Sequence, residues 1–403
     1  MVTVSDFSES LANVNVSNIY IYVGDAVRYD FLPERIADCG TSIKTVGAST
    51  TSAPSFTSIL SGLYPSSHRV FSFNYKIEND VSTMLDIEGF HTEFLNSIFK
   101  YAAKEHDGTD PIYRTLGITD PPTHPELDET PFVFVERGPG GHAPYGDFSG
   151  GATEYFEQYP NHTESQLKKD YERSIELDAQ LFEERVDLLQ SEGLLEDTLV
   201  IYTSDHGELL GEKGMIGHNS PMCPETVYVP TVFIHPDLPN EQITNDVISH
   251  VDLFPTILDL LNIKNNVTFD GQSILEDWTQ EPVYTIYSTE FMSNKFPLTD
   301  GRLRYDGVWD STGGYVFSES HLLKRLLVLA GKTYKSPKRH HLRRNISKVF
   351  REYVRGDYRY NGPNFSKKEA QRRLKELYEQ PTIRLRQELS QVNTEQLEDL
   401  GYL

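Results

Sequence analysis

The stretch Thr198–Gly207, TLVIYTSDHG, is the clearest indication of the fold, because seven apolar, aromatic or hydroxyl residues run directly into a carboxylate and an imidazole. An uninterrupted run of this kind predicts a strand buried on both faces, as in a parallel sheet. A second run, NIYIYV over Asn18–Val23, ends in Gly24-Asp25 in the same way. Ligands of open α/β sheets gather beyond the carboxyl ends of the strands. Asp25 and Asp205-His206 are therefore predicted to lie at a binding edge.

The rest of the chain alternates between strand-like and helix-like segments. Strands are predicted at Phe132–Val135 and Thr231–Ile234, and helices at Pro54–Leu60 with a stop at Gly62, near 165–191 and around Val251–Leu261. This alternation indicates an α/β fold, a doubly wound, mainly parallel sheet with helices on both faces.

The chain is predicted to divide near residue 280. Residues 1–280 form the main domain and residues 281–403 a smaller C-terminal subdomain of α+β character. Tyr284–Thr289 and Val308–Phe317 are predicted to add a small sheet there, followed by a basic helical segment at 324–375.

Charge and composition exclude several classes of protein. The 403 residues carry 37 Lys and Arg against 60 Asp and Glu, a formal net charge of −23, which disfavours binding to nucleic acid. Because the sequence has no long apolar window and no secretory signal, and only Cys39 and Cys223, we expect a reduced, cytoplasmic protein.

The basic charge is concentrated in one segment. Lys324–Lys375 holds seventeen Lys and Arg against three acids. Such a segment could dock against the acidic body, contact an anionic membrane surface or guide an anionic substrate. A solvated helical hairpin lying on the body is the simplest of these interpretations.

Asp205-His206-Gly207 has the character of a metal site. A carboxylate and an imidazole that leave a strand together can turn toward one ion, and Gly207 permits the tight exit. Asp25 supplies a possible third ligand. The alternative is that Asp25 caps the following turn or pairs with Arg28.

The segment Thr50–Ser55, TTSAPS, places hydroxyl groups at the start of a helix marked by Pro54. A helix N-terminus favours an oxyanion and a hydroxyl that loses its proton, and metal coordination can activate a serine such as Ser52. The alternative is that Ser52 or Thr51 is simply an N-cap.

Six segments taken in order resemble the sulfatase family of the alkaline-phosphatase superfamily. They are GDAVRYD (24–30), TSAPSFTSILSGLYPSSH (51–68), GGHAPY (140–145), GLLEDTLVIYTSDHGELLGEKG (193–214), GHN (217–219) and SHVDLFPTILDLLNI (249–263). The resemblance covers roughly residues 18–275.

The resemblance implies a role for each matching residue. Asp25, Asp205 and His206 match the metal ligands and Ser52 the nucleophile, whose oxygen also binds the metal. His142 and His218 match positions that touch the ester oxygens or protonate the leaving group; alternatively they are loop histidines in ordinary solvent contact. Arg28 and His250 match recurring positions for which we expect structural roles. The donor set suits one Ca²⁺, Mg²⁺ or Mn²⁺ ion, with Zn²⁺ an alternative.

Two departures from the family pattern matter. Sulfatases that oxidise their Cys or Ser to formylglycine carry x-Pro-x-Arg after it, whereas here Phe56 takes the arginine position. This argues against formylglycine at Ser52 and predicts that a positive charge near the site is missing. In addition, Gly24 precedes Asp25 where many sulfatases have a second aspartate, which resembles the phosphodiesterase and phosphotransferase branches.

The sequence therefore predicts a metal-dependent hydrolase that cleaves a sulfate or phosphate ester of a small molecule or glycan through Ser52. The alternative is a transferase that moves a phosphoryl or substituted phosphoryl group onto a glycan or lipid. A third hypothesis is a non-catalytic binding protein, in which the complete set of metal-ligand residues takes part in no reaction.

Overall fold

A computed structural model of the protein describes residues 2–98, 110–125, 127–264, 267–276, 278–290, 302–379 and 387–388. The strands are β1 Asn18–Gly24, β2 Thr41–Val46, β3 Tyr75–Lys76, β4 His91–Asn96, β5 Phe132–Gly138, β6 Thr198–Ser204, β7 Tyr228–Ile234, β8 Gln242–Ser249, β9 Val283–Glu290, β10 Arg302–Trp309, β11 Gly313–Ser318, β12 Tyr358–Asn361 and β13 Gln387–Glu388. The helices are α1 Val4–Leu11, α2 Glu34–Ala37, α3 Ser52–Ser61, α4 Pro65–His68, α5 Pro111–Leu116, α6 Ala152–Gln158, α7 Glu164–Ser191, α8 Pro224–Val227, α9 Leu253–Leu260, α10 Leu322–Lys335, α11 Arg339–Arg344, α12 Ile346–Val354 and α13 Lys367–Glu379.

A seven-stranded sheet in the order β4-β5-β1-β6-β7-β2-β8 forms the centre of the molecule. All of its strands are parallel to one another except β7, which is antiparallel to both neighbours. The predicted, mainly parallel sheet is confirmed, and the predicted strand Thr231–Ile234 lies within β7. Because β1 lies between β5 and β6, the carboxyl ends of these three strands meet at one edge.

Helices cover both faces of this sheet, as predicted. Ile21 of β1 packs in one cluster with Phe56 of α3 and Phe254 of α9. Tyr22, the next residue, packs against Phe182 of α7 on the opposite face. Successive side chains of a strand point to opposite faces, so a strand that is apolar throughout must be covered twice.

The predicted helices are present with small shifts at their ends. α3 begins before Pro54 and stops at Gly62, whose φ of 67° is left-handed. α7 matches the predicted long helix. The helix predicted around Val251–Leu261 is a 3₁₀ turn at His250–Asp252 followed by α9.

The C-terminal region contains a four-stranded sheet in the order β12-β11-β10-β9 together with α10–α13. The predicted small sheet is present: Tyr284–Thr289 lies within β9, and Val308–Phe317 comprises the end of β10, a turn and most of β11. One expectation needs correction here. Residues 324–375 are not helical throughout, because β12 interrupts them; Tyr358 and Tyr360 alternate with polar residues, and Tyr360 stacks on the buried Trp309. Residues 291–301, 380–386 and 389–403 of the predicted subdomain lie outside the described residues.

The boundary predicted near residue 280 remains a prediction. One apolar cluster contains Val46 and Tyr228 from the large sheet together with Trp309 and Val349 from the C-terminal region. Packing across the predicted boundary is therefore continuous.

The basic segment docks against the acidic body. Arg344 donates to the carbonyl of His162 at 2.8 Å, and the Arg339 guanidinium lies 3.7 Å from the Glu157 carboxylate. Within the part of the chain that the structure describes, no helix is long and apolar enough to cross a membrane.

Candidate metal centre and nucleophile

Asp25, Asp205 and His206 come together where β1 and β6 end. Each offers one ligand atom, and these atoms all lie within 4.8 Å of one another. His206 Nε2 lies 3.4 Å from Asp205 Oδ2 and 3.9 Å from Asp25 Oδ1. The pairing of β1 with β6 sets Gly24 opposite Ser204, which brings the residues that follow into contact.

The donor atoms of this group fit a divalent cation. Asp25 Oδ1 and Asp205 Oδ2 are buried and have no hydrogen-bond partner among the described residues. His206 Nδ1 lies 3.0 Å from the Gly207 carbonyl, so it carries the proton and leaves the lone pair of Nε2 facing the carboxylates. Buried carboxylates are normally paired or bound to metal, and this set matches hard oxygen-preferring ions.

Ser52 lies beside this group at the first residue of α3. Its Oγ is 3.2 Å from His206 Nε2. Thr51 is the N-cap residue and makes no side-chain capping bond, so the alternative interpretation of Ser52 or Thr51 as a simple capping group is wrong. The start of α3 directs backbone amides and the positive end of the helix dipole toward the same place.

Arg137 is a buried cation that the sequence analysis missed. Its Nε donates to Asp25 Oδ2 at 3.0 Å, and its Nη2 donates to the same oxygen and lies 3.4 Å from Ser52 Oγ. The guanidinium lies over the ring of Phe56, 5.4 Å from its centroid. The expectation that a positive charge is missing near Ser52 is therefore wrong: the arginine comes from β5 rather than from α3. The alternative that Asp25 pairs with Arg28 is also wrong, because Asp25 pairs with Arg137 instead.

The two carboxylates differ in their pKa shifts. Burial raises the pKa of Asp25, but Arg137 and the nearby histidines more than offset this and bring the pKa below its usual value. Burial and the neighbouring Asp25 raise the pKa of Asp205. Arg137 compensates one of the two negative charges, so the second needs another cation.

His142 and His218 lie next to the centre. The ring centroid of His218 is 4.2 Å from that of His206 and 5.2 Å from that of His142. Burial lowers the pKa of His142 to about 4 and that of His218 well below its usual value, so both rings are neutral near pH 7. The interpretation as loop histidines in solvent contact is wrong, since both are buried.

Glu208 holds His218 in place, and sequence reasoning missed it too. His218 Nδ1 lies 3.2 Å from Glu208 Oε2, and both side chains are buried. Burial raises the pKa of Glu208 to about 8, against the lowering effect of Lys338.

The basic segment contributes two lysines beside His218. Lys332 Nζ donates to the carbonyl of Asn219, and Lys338 Nζ lies against Gly217. Burial and the neighbouring Lys338 lower the pKa of Lys332 to about 7, and burial also lowers the pKa of Lys338. Glu208 offsets part of this lowering at Lys338, so an added anion would favour the charged form of Lys332 in particular.

Arg28 and His250 have structural contacts, as expected. Arg28 pairs with Asp30 at 2.7 Å and with Glu212 at 2.8 Å. His250 accepts from the Ala48 amide at 3.2 Å, and its Nε2 is 2.8 Å from the Ser204 carbonyl, which fixes the end of β6.

The molecule therefore combines a doubly wound sheet with a buried Asp-Asp-His group and a serine at a helix N-terminus. The family profile described as Sulfatase matches residues 7–263, and the chain belongs to the sulfatase family.

The chain is similar in sequence to a protein named a sulfotransferase, and similar in fold to two solved structures. The chain is 33% identical over 411 residues to the low-salt glycan biosynthesis sulfotransferase Agl7 of Haloferax volcanii, covering 96% of each chain. The structure of a phosphonate monoester hydrolase of Agrobacterium radiobacter superposes with a TM-score of 0.57 at 16% identity, over 83% of this chain and 96% of that one. A 2-O GAG sulfatase gives a TM-score of 0.57 at 14% identity over 90% of both chains. Because their identities are only 16% and 14%, these two structures support the fold of this chain and nothing further.

Proposed function

We propose that the protein cleaves a sulfate or phosphate ester with Ser52 as nucleophile and one divalent cation held by Asp25, Asp205, His206 and the Ser52 oxygen. The observation that carries this proposal is the 3.2 Å approach of Ser52 Oγ to His206 Nε2, beside two carboxylate oxygens that lack partners among the described residues.

A bound divalent cation would lower the pKa of the serine hydroxyl and offset charge on the ester oxygens. The chain's own groups then act around it. The Ser52 hydroxyl gives up its proton to solvent, its Oγ attacks sulfur or phosphorus in line, and the bond to the ester oxygen breaks so that the alcohol leaves. Water then attacks the same sulfur or phosphorus, which releases sulfate or phosphate and restores the Ser52 hydroxyl. Arg137 and the first amides of α3 stabilise the charge on the transferred group.

His142 and His218 are proposed to serve the leaving group. Both rings are neutral in the free protein near pH 7, and the negative charge of a bound ester favours their protonated forms. An imidazole proton delivered to the departing oxygen typically contributes about 10²–10⁴-fold. Glu208 positions His218 through Nδ1.

Lys332 and Lys338 are proposed to bind the anionic part of the substrate beyond the ester. Burial disfavours the positively charged form of each amine, and an anion that enters between the two side chains would favour that form. A sulfated or phosphorylated glycan fits this requirement better than a neutral ester.

A second candidate is transfer of the group to a hydroxyl of a glycan or lipid acceptor. Ser52 attack comes first in both cases, and an acceptor alkoxide takes the place of water in the second displacement. The full-length similarity to a protein named a glycan biosynthesis sulfotransferase favours this candidate.

The test is turnover of p-nitrophenyl sulfate, p-nitrophenyl phosphate and a phosphodiester after chelation and readdition of Mg²⁺, Mn²⁺, Ca²⁺ or Zn²⁺. Ser52→Ala is expected to abolish turnover. Ser61→Ala on the same helix is the matched control and is expected to keep turnover, because that hydroxyl donates to the Thr57 carbonyl and accepts from the Leu63 amide, at the end of α3 far from Ser52. Activity that survives Ser52→Ala would overturn the proposal.

Product analysis separates the two candidates. Addition of a simple sugar acceptor yields a sulfated or phosphorylated sugar by mass spectrometry if the protein is a transferase, and leaves the products unchanged if water is the acceptor. The mass of the peptide containing residue 52 tests whether Ser52 is unmodified, as we propose.

A further inference from the structure

Exposed apolar side chains are concentrated in one part of the molecule. Among the described residues, seven large hydrophobic side chains are more than a third exposed: Leu322, Leu323, Leu327, Tyr334, Ile346, Phe350 and Tyr378. All except Tyr378 lie on α10 and α12, which pack beside each other. Scattered exposed leucines need no explanation, but such a concentration marks an interaction surface.

The exposed residues of α10 form a stripe. Leu323, Leu327, Ala330 and Tyr334 are exposed, and their spacing places them on one face of the helix. Leu323 is 67% exposed and Tyr334 73%. The opposite face holds Val328 and Leu329, which pack in the core. The helix is therefore apolar on both its buried and its outward side.

Basic residues surround this stripe. Residues 322–354 contain ten Lys and Arg and a single acid, Glu352, in a chain with a net charge of −23. Glu352 is buried and pairs with Arg355 at 2.9 Å. Lys335, Arg343, Lys348 and Arg351 are exposed. We call α10 to α12, Leu322–Val354, the basic apolar face.

We propose that the basic apolar face docks on the surface of an anionic lipid bilayer. Leucine and aromatic residues flanked by Lys and Arg are the composition with which helices lie in the headgroup region of membranes. A second copy meeting through the same face would oppose its own positive charge, because a twofold contact repeats one patch on both subunits. The centres of protein interfaces are also poor in lysine.

The docking surface lies directly behind the candidate active site. Lys332 reaches Asn219 from the inner side of α10, while Tyr334 is on its outer side. A helix with its side chains is about 10–12 Å thick, so a docked bilayer would lie within about that distance of the lysine. Resting on the proposed function, this places the substrate or acceptor at the membrane surface; the docking itself does not depend on that function.

The test is co-sedimentation of the full chain with phosphatidylcholine–phosphatidylglycerol vesicles and with pure phosphatidylcholine vesicles, at about 0.1 M ionic strength, where the Debye length is about 10 Å. We expect binding to the anionic vesicles, and at least about tenfold weaker binding for Leu323→Ser/Leu327→Ser and for Lys348→Gln/Arg351→Gln. Lys169→Gln/Arg173→Gln on α7 removes the same charge from another exposed helix and is expected to bind like the wild type.

Three outcomes would overturn the proposal. The wild type could stay in the supernatant with anionic vesicles, or the α7 variant could lose as much binding as the α12 variant. The wild type could also be an oligomer that Leu323→Ser/Leu327→Ser dissociates, with no binding to vesicles. Turnover of a soluble ester by each variant, and a cooperative unfolding transition, separate a docking defect from a folding defect. If one pair of substitutions prevents folding, vesicle binding by the variant with the other pair still tests the proposal.

Discussion

At the scale of single residues, the candidate centre depends on an excess of buried charge that only partly cancels. Asp25 and Asp205 bring two carboxylates within 4.8 Å of each other, and Arg137 compensates for one of them. An uncompensated buried charge lowers the stability of the folded protein. Such charges are usual at sites where a bound ligand or ion compensates them.

Asp205→Asn is expected to separate stability from metal binding. The asparagine keeps an oxygen for the amides of Ala26 and His206 and removes the repulsion with Asp25. Without metal, the variant should be at least about 1 kcal/mol more stable than the wild type, because an unpaired buried charge is lost. Thermal melts in chelator and in Mn²⁺ measure both effects. The wild type should gain stability with Mn²⁺ and the variant should not; a variant that is less stable in chelator would contradict this account.

Arg137→Gln is expected to lower kcat/KM by about 10²–10³-fold, because it removes a donor to the transferred group. It should also destabilise the fold by about 3–5 kcal/mol, since Asp25 then stays buried without its partner.

Arg185→Gln is the matched control for Arg137→Gln. Arg185 pairs with buried Glu136 at 2.9 Å, one residue along β5 and away from Ser52. This variant should lose stability while each folded molecule keeps its activity. Equal activity losses in the two variants would show that Arg137 acts only on the fold.

The sequence singled out Asp25, Ser52, Asp205, His206, His142 and His218, since each lies in a recognisable motif, and the structure brings these side chains together. Arg137 has no such motif, and only the pairing of β1 with β5 brings it to Asp25. A signal was nevertheless present, because Glu136 and Arg137 end an apolar strand, the rule that identified Asp25. Lys332 and Lys338 could not be predicted, since their positions depend on how α10 and α11 pack.

At the scale of elements, the start and end of α3 determine where Ser52 lies. The helix begins at Ser52, the proposed nucleophile, and ends at Ser61, which is followed by Gly62 in the left-handed conformation. A β-carbon at Gly62 would lie 2.7 Å from Phe269, so the glycine satisfies both a backbone and a packing requirement. Pro54 in the first turn and Gly62 as a stop predicted this helix correctly. The strand β12 was missed because the basic residues around it led to a prediction of helix for the whole segment.

Gly62→Ala is expected to cost about 2–4 kcal/mol, of which about 1–2 kcal/mol is left-handed strain and the rest crowding. Gly193→Ala after α7 is the matched control. Gly193 has a φ of 72° but nothing within 4 Å of a β-carbon, so it should cost only the strain. Urea unfolding measures both. Equal losses would indicate that Phe269 moves aside freely.

At the scale of the whole molecule, buried neutral histidines link stability to pH. Burial lowers the pKa of His68 to about 3. His68 Nδ1 accepts from the Val70 amide and Nε2 lies 3.0 Å from Ser58 Oγ, which fits a neutral ring.

His68 should make the protein less stable as the pH falls from about 6.5 toward 3. In that range the unfolded chain binds a proton at this histidine and the folded chain does not, so stability falls by up to about 1.4 kcal/mol per pH unit. In His68→Asn the amide oxygen can replace Nδ1, and its stability should depend less steeply on pH below about 6.5. Chemical unfolding at several pH values measures the difference, and parallel curves would contradict it.

The adjacency of β5, β1 and β6 also has a consequence for how the protein is made. The amide of Ala26 bonds to Asp205 across 179 residues of chain. Contacts that bridge so long a separation form late, since the loop between them must first be closed. In a growing polypeptide the group of Asp25, Asp205 and His206 is therefore incomplete until the ribosome has passed residue 206 and β6 has inserted beside β1. If the group binds the proposed cation, capture of the ion would report that β6 has joined β1, before β7 and β8 complete the sheet.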